Sequence, residues 1–320
     1  MSELLPTLET LLADAEAGRP AALCTVVETR GSTPQCPGAT LLVRGDMSTV
    51  GTLGGGCVEA EVRQRAFELL LRGGSGLLDY VLDHDFGWDD GLICGGRMFV
   101  AVRAVSAPAD LAPLREAVES ARRRRPAAFP IVVDHEGRRL RYTVHLEVPP
   151  TLLIAGAGHV GRALARLAVD LDFHVVVIDD RSDFASAQRF DPRVELIVRD
   201  IAAALRDYPI DAGCHVVIVT RGHQHDEQAL EAVVRREAGY VGLIGSKRKS
   251  RMIFDDLREM GVSEEQIARV RTPIGLDISA VTVPEIALSI AAELVQARRT
   301  KLPKLVEGPV DEAASNESRA

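Results

Sequence analysis

The run Thr151-Leu152-Leu153-Ile154-Ala155-Gly156-Ala157-Gly158-His159-Val160-Gly161 restricts the fold of this chain more than any other stretch. Its apolar first half reads as a buried strand, and the glycines at 156, 158 and 161 open the helix that follows. In that context Gly-x-Gly-x-x-Gly permits a tight turn, backbone approach to a pyrophosphate and close packing of helix on strand. The helix start, near His159, then offers unpaired N–H donors to the phosphate. Asp179 and Asp180 end the next apolar run, about 20 residues on, where an acidic side chain reads a ribose hydroxyl; neighbouring Arg181 keeps a 2′-phosphate open. The pattern predicts strands over 151–155, 174–178, 195–198, 215–220 and 240–244, alternating with helices over 160–171, 226–237, 247–260 and 283–299. That is a Rossmann-like, doubly wound parallel sheet over residues 149–306.

Residues 1–148 read differently. A helix over 4–17, strands over 21–28, 39–44, 50–53, 77–82 and 97–105, helices over 58–71 and 111–123, and a hairpin-like pair over 128–134 and 139–146 make an α+β domain. The chain is therefore α/β overall, with an α+β N-terminal domain ahead of the parallel sheet. Residues 307–320 are polar and aperiodic and read as a disordered tail.

The N-terminal domain holds two glycine-framed thiols, Gly54-Gly55-Gly56-Cys57 and Cys94-Gly95-Gly96. Consecutive glycines pack nothing, so their place is where a ligand or another backbone comes close. Cys57 stands at the start of a predicted helix, where the dipole favours the thiolate, the form that binds metal or attacks sulfur. Neither cysteine belongs to a Cys-x-x-Cys pair, which argues against structural zinc. Together Cys57 and Cys94 suit a soft metal or a sulfur-bearing ligand; small packed residues are the alternative reading of each. Cys24 and Cys214 fall inside apolar strands and read as core, and Cys36, between prolines, is left open.

In the second domain His223-Gln224-His225-Asp226 follows the fourth strand, on the side where open α/β sheets bind ligands. His223 and His225 are candidates for metal or phosphate contact, with Asp226 as a helix cap in the alternative reading. Ser246, Lys247 and Arg248 open the next helix. Cations there oppose the dipole unless an anion is bound. No Tyr-x-x-x-Lys pair follows the nucleotide motif, which weakens but does not remove the reading as an NAD(P)-dependent oxidoreductase.

With 38 basic and 46 acidic residues the net charge is −8, which argues against nucleic acid and anionic membrane as principal partners. Five cysteines, an odd number, and no signal-peptide pattern point to a cytoplasmic chain with reduced thiols.

The chain resembles the xanthine dehydrogenase accessory protein family, XdhC/CoxI. The residues that carry the resemblance are Gly31-Ser32-Thr33-Pro34, Gly51 through Glu59, Cys94-Gly95-Gly96 and Gly156 through Gly161. Tyr240-Val241-Gly242-Leu243-Ile244-Gly245-Ser246-Lys247-Arg248-Lys249 and Pro273-Ile274-Gly275-Leu276-Asp277-Ile278 complete the set. The resemblance implies a molybdenum cofactor (molybdopterin) chaperone in purine catabolism that performs no turnover of its own. It would protect the cofactor, support its sulfuration by a cysteine desulfurase and deliver it to a xanthine dehydrogenase-type molybdoenzyme; a homodimer is compatible with this. Such a role puts Cys57 and Cys94 toward the metal. Gly54, Gly55, Gly56, Gly156, Gly158, His159, Gly161, Asp179, His223, His225, Ser246, Lys247 and Arg248 belong to the wider cofactor site. The family loop commonly carries arginine where this chain has Gln35, and a missing guanidinium forfeits about 1.5–3 kcal/mol of charged hydrogen bonding.

Overall fold

Leu4, Leu8 and Leu11 recur at helical spacing and form the buried stripe of α1 (Leu4–Glu16). β1 (Ala21–Arg30) is buried over its first seven residues, and its alternating side chains feed two cores. Ala21, Leu23 and Val27 join α1, whereas Ala22, Cys24 and Val26 face the other way. β2 (Thr40–Arg44), β3 (Thr49–Gly51), α2 (Gly56–Leu71), β4 (Ser75–Leu82) and β5 (Gly96–Val105) follow. Among the described residues these strands make one antiparallel sheet in the order β3-β2-β1-β5-β4. α2 lays Val62, Ala66 and Leu70, one per turn, on one face of it. On the other face sit α1, α3 (Pro108–Arg122) and the hairpin of β6 (Ala127–His135) with β7 (Arg138–Leu146).

The computed structural model describes residues 4–82, 95–105, 108–301 and 306–311. The elements above form one compact unit, Ser2–Val148 with Pro303–Ala320, and Pro149–Leu302 form the other.

The second unit runs β8 (Thr151–Ala155), α4 (His159–Asp170), β9 (His174–Asp179), β10 (Glu195–Val198), α5 (Ile201–Asp207), β11 (Cys214–Ile218) and α6 (His223–Val234). It continues with β12 (Tyr240–Leu243), α7 (Lys247–Glu259), α8 (Glu264–Ala268), β13 (Val270–Arg271) and α9 (Val283–Lys301). Its strands are parallel in the order β10-β9-β8-β11-β12-β13, the doubly wound arrangement expected from the glycine motif. α4 and α9 cover one face and α5 to α8 the other. Order reverses between β8 and β11, so the loops after these two strands frame the crevice where such sheets bind ligands. No helix among the described residues is long and apolar enough to cross a membrane.

Two differences from the sequence reading have local causes. β14 (Val306–Asp311) pairs antiparallel with β7, Val306 opposite Val144 and Asp311 opposite Leu140. Residues 307–311 are therefore a strand and not part of a disordered tail: an edge strand needs backbone partners, not apolar periodicity, and Val306 supplies the one core contact. The rest of that tail, 312–320, lies outside the described residues. Helix α6 begins at His223, three residues before the expected start, because Gly222 caps it without a side-chain hydrogen bond; Asp226 is inside the first turn.

A methyl group at Gly161 would overlap the carbonyl oxygen of Gly156, so α4 lies against its own loop as closely as backbone allows. Gly161→Ala should destabilise the second unit by about 1–3 kcal/mol. Hydrogen exchange would read this as lost protection within 149–302, with protection in 4–148 retained; a uniform loss would show that the two units unfold together.

Candidate functional site

Gly54, Gly55 and Gly56 all occupy the left-handed region, with φ of 104°, 75° and 68°. Side chains adopt that region at a cost, which explains the triplet. One carboxylate oxygen of Glu59 fixes the path: it accepts the N–H of Leu53 at 2.8 Å, the N–H of Gly55 at 3.1 Å and the Thr52 hydroxyl at 2.8 Å. Burial pushes the Glu59 carboxyl up, but these donors outweigh it and hold the group below the usual carboxylate range. Gly55 caps α2, and Cys57 is the second residue of that helix, half-buried and unbridged, at the positive end of the dipole.

Two further motif loops meet here. A Cβ on Gly54 would lie 2.8 Å from Cβ of Pro34, so the triplet packs directly against Gly31-Ser32-Thr33-Pro34. Ser32 in turn bridges to Gly95, and a Cβ on Gly31 would stand 3.2 Å from Cα of Gly96. The three glycine-bearing loops of the first unit thus form one continuous surface beside the Cys57 helix start. Cys94 lies outside the described residues, although Gly95 next to it is placed at this junction. Cys24 and Cys214 are buried, and burial pushes both thiols up; Cys36 is exposed.

In the second unit three helix starts follow β8, β11 and β12, which are neighbours in the sheet. Gly158 and Gly222 bring no side chain to cap α4 and α6, leaving first-turn N–H groups for a ligand. Ser246 caps α7, accepting the N–H of Lys249 at 3.3 Å. Lys247 and Arg248 are exposed and have no ion-pair partner among the described residues, whereas Lys249 is consumed by the fully buried Asp226. Asp226 also accepts the Thr220 hydroxyl at 2.6 Å. Arg221 bridges Asp180 at 3.0 Å and donates to Nε2 of His225 at 3.2 Å. His223 takes different neighbours, Glu227 and Asp256. The resulting edge is rich in N–H donors and cations and suits a phosphate or pyrophosphate.

Asp179 departs from the expected ribose contact. It is 1% exposed and turned under the glycine loop. One oxygen accepts the backbone N–H and Nε of Arg181 at 3.0 and 2.8 Å, and the other accepts Ala157 N–H and Nη2 of Arg181, both at 2.8 Å. Burial raises its pKa, but the Arg181 pair and the two N–H donors prevail and hold it at about 2. A ribose hydroxyl would have to displace one of these partners.

The XdhC Rossmann domain model matches residues 152–294, and the XdhC and CoxI family model matches residues 14–81. The chain belongs to the XdhC and CoxI family. It is 31% identical over 284 residues to the uncharacterized protein YqeB of Escherichia coli, covering 88% of this chain but only 44% of that longer relative. It is 27% identical over 331 residues to a probable xanthine dehydrogenase subunit of Bacillus subtilis, covering 91% and 96%. With the molybdenum cofactor insertion chaperone PaoD of E. coli it shares 27% over 294 residues, covering 88% and 85%. The crystal structure of a xanthine dehydrogenase from Bacillus halodurans matches with a TM-score of 0.74 at 25% identity, covering 94% and 97%. The family resemblance and the fold class expected from the sequence both hold.

In this XdhC/CoxI chain the glycine triplet and Cys57 occupy one site, and Gly156, Gly158, His159, Gly161, Ser246, Lys247 and Arg248 line one sheet edge. Glu59 was visible in the sequence only as the last residue of the motif from Gly51; its hold on three donors is a tertiary fact. Its signal was a carboxylate four residues after a glycine cap. Glu59→Ala should lower stability by about 2–3 kcal/mol, and Glu59→Gln, which keeps an acceptor oxygen, should recover part of it in denaturant titrations.

The Asp179 pair also sets a pH dependence. A carboxyl held at about 2 in the folded chain against about 3.9 unfolded stabilises above pH 4, and the contribution fades as pH falls toward 2. Asp179→Asn should cost about 2–3 kcal/mol at neutral pH and flatten the loss of stability between about pH 4 and 2, measured by urea unfolding across that window.

Proposed function

We propose that this chain is a chaperone that binds molybdenum cofactor as cargo and inserts it during maturation of a xanthine dehydrogenase-type enzyme. The observation that carries the reading is the junction of three glycine-bearing loops beside Cys57, a thiol at a helix N-terminus. Its support from relatives is the family membership and the name of PaoD.

Each unit, taken by itself, has chemistry suited to a group that such a cargo carries. A thiolate is a soft ligand matched to molybdenum or to sulfur transfer, and the helix dipole favours that ionised form at Cys57. Glycine backbone on either side lets a bulky metal–dithiolene group approach without a side-chain clash. In the second unit the capless starts of α4 and α6, with Lys247 and Arg248, present donors and charge to a phosphate or pyrophosphate. Gln35 contributes no cation beside the triplet, so anion binding at that loop rests on backbone. The finer proposals are protection of the cofactor, its sulfuration with a cysteine desulfurase as partner, and hand-over to the molybdoenzyme.

The test is to express the chain in a host that makes molybdenum cofactor, purify it anaerobically and measure molybdenum and released pterin per chain. Near-stoichiometric amounts of both are expected. Cys57→Ala should reduce both by at least about tenfold while the fold, followed by circular dichroism, is unchanged. Full retention of cofactor would remove Cys57 from the site. Absence of cofactor together with micromolar binding of NAD(H) or NADP(H) would instead favour a nucleotide-dependent oxidoreductase.

A further inference from the structure

The imidazole of His223 and the carboxylates of Glu227 and Asp256 converge on the face shared by α6 and α7. One ligand atom from each lies within 4.8 Å of the other two. His223 and Glu227 are four residues apart, hence on one side of α6, and Asp256 reaches across from α7. All three are half-buried. Among the described residues neither carboxylate has an ion-pair or side-chain hydrogen-bond partner. Nearby acids differ in this respect: Asp226 is neutralised by Lys249, and Asp180 by Arg221. Two carboxylates at this separation with no counter-charge repel each other. The imidazole adds an independent sign of a missing partner, since Nδ1 of His223 is buried and meets no hydrogen-bonding group among the described residues.

We propose that His223, Glu227 and Asp256 bind one divalent first-row cation. A cation meets all three needs together: it cancels the two negative charges, occupies an imidazole lone pair and replaces the repulsion with attraction. One nitrogen and two carboxylate oxygens, with no thiolate, select Mn²⁺, Fe²⁺, Co²⁺ or Zn²⁺ over softer ions. The sequence offered His223 and His225 as candidates for metal or phosphate contact, next to Asp226. The fold separates them, committing His225 to Arg221 and Asp226 to Thr220 and Lys249 and pairing His223 with residues four and thirty-three positions on. The site stands at the start of α6, so a bound ion would add positive charge to the sheet edge that already presents N–H donors.

The full chain, stripped with chelator, is titrated with Mn²⁺ alone and followed by electron paramagnetic resonance and calorimetry. One Mn²⁺ per chain is expected, with Glu227→Gln and Asp256→Asn each weakening binding by about tenfold or more. Both replacements are nearly isosteric, and thermal unfolding verifies that they fold. Co²⁺ substitution should give a spectrum without the intense near-ultraviolet band of a cobalt–thiolate bond, and Cys57→Ala should retain the ion. The proposal is overturned if the native chain takes up no Mn²⁺ at about 1 mM. Binding left intact by both carboxamide variants, or abolished by Cys57→Ala, overturns it equally.

Discussion

One carboxylate oxygen of Glu59 organises the first unit's loops. Three consecutive glycines in left-handed backbone have no local preference strong enough to choose a single path, because glycine loses more conformational freedom on folding than any other residue. By accepting two backbone N–H groups and a hydroxyl, Glu59 ties the loop to the first turn of α2. With the triplet fixed, Gly54 can meet Pro34, and the Pro34 loop can meet Gly95 and Gly96. The start of α2, and Cys57 with it, is placed by these contacts. Val62, Ala66 and Leu70 hold the remainder of α2 to the sheet, so the anchored end of the helix rests on a packed support.

The second unit solves a different electrostatic problem. The edge of its sheet beyond β8, β9 and β11 carries two buried acids, Asp179 and Asp226, each neutralised by a cation from the same edge, Arg181 and Lys249 respectively. Such pairing avoids an uncompensated buried charge, which would cost several kcal/mol. It also removes both carboxylates from the surface. Left unpaired there are Lys247, Arg248 and the capless starts of α4 and α6 on one side, and the carboxylates of Glu227 and Asp256 beside the start of α6 on the other. A region's chemistry is set by which charges remain unpaired, and net charge alone conceals it.

Much of this was legible in the sequence, for identifiable reasons. Alternation of apolar runs with helical periodicity located the doubly wound sheet, and the glycine spacing at 156–161 located the turn from β8 into α4. The glycine triplet announced a close approach. What escaped were features decided by distant partners or by very few residues. β13 has two residues and α8 five, too short for periodicity to register. α5 contains a run of alanines, Ala202 to Ala204, and is marked chiefly by its cap, Asp200, which accepts the N–H of Ala203 at 2.8 Å. The inward turn of Asp179 depends on Arg181 doubling back over it. Grouping His223 with Asp256 depends on how α7 lies against α6, which nothing in either helix's own sequence specifies.

β14 has a topological consequence. The chain leaves the first unit just after β7 and, on return, pairs with that same strand, Val306 opposite Val144. The whole of Pro149–Leu302 is thereby an insertion between two adjacent strands of one sheet, with its entry and exit side by side. A domain appended at a single linker can swivel about one bond path, but an inserted domain is tethered twice, and the second tether here is itself held by a ladder of main-chain hydrogen bonds. In the connectivity of the first unit the parallel-sheet unit takes the place of a loop with pinned ends, and the entropy of closing such a loop grows only slowly with its length. Unzipping one short edge strand would change the connection from two-point to one-point, a mechanical distinction encoded in the segment of least evident pattern.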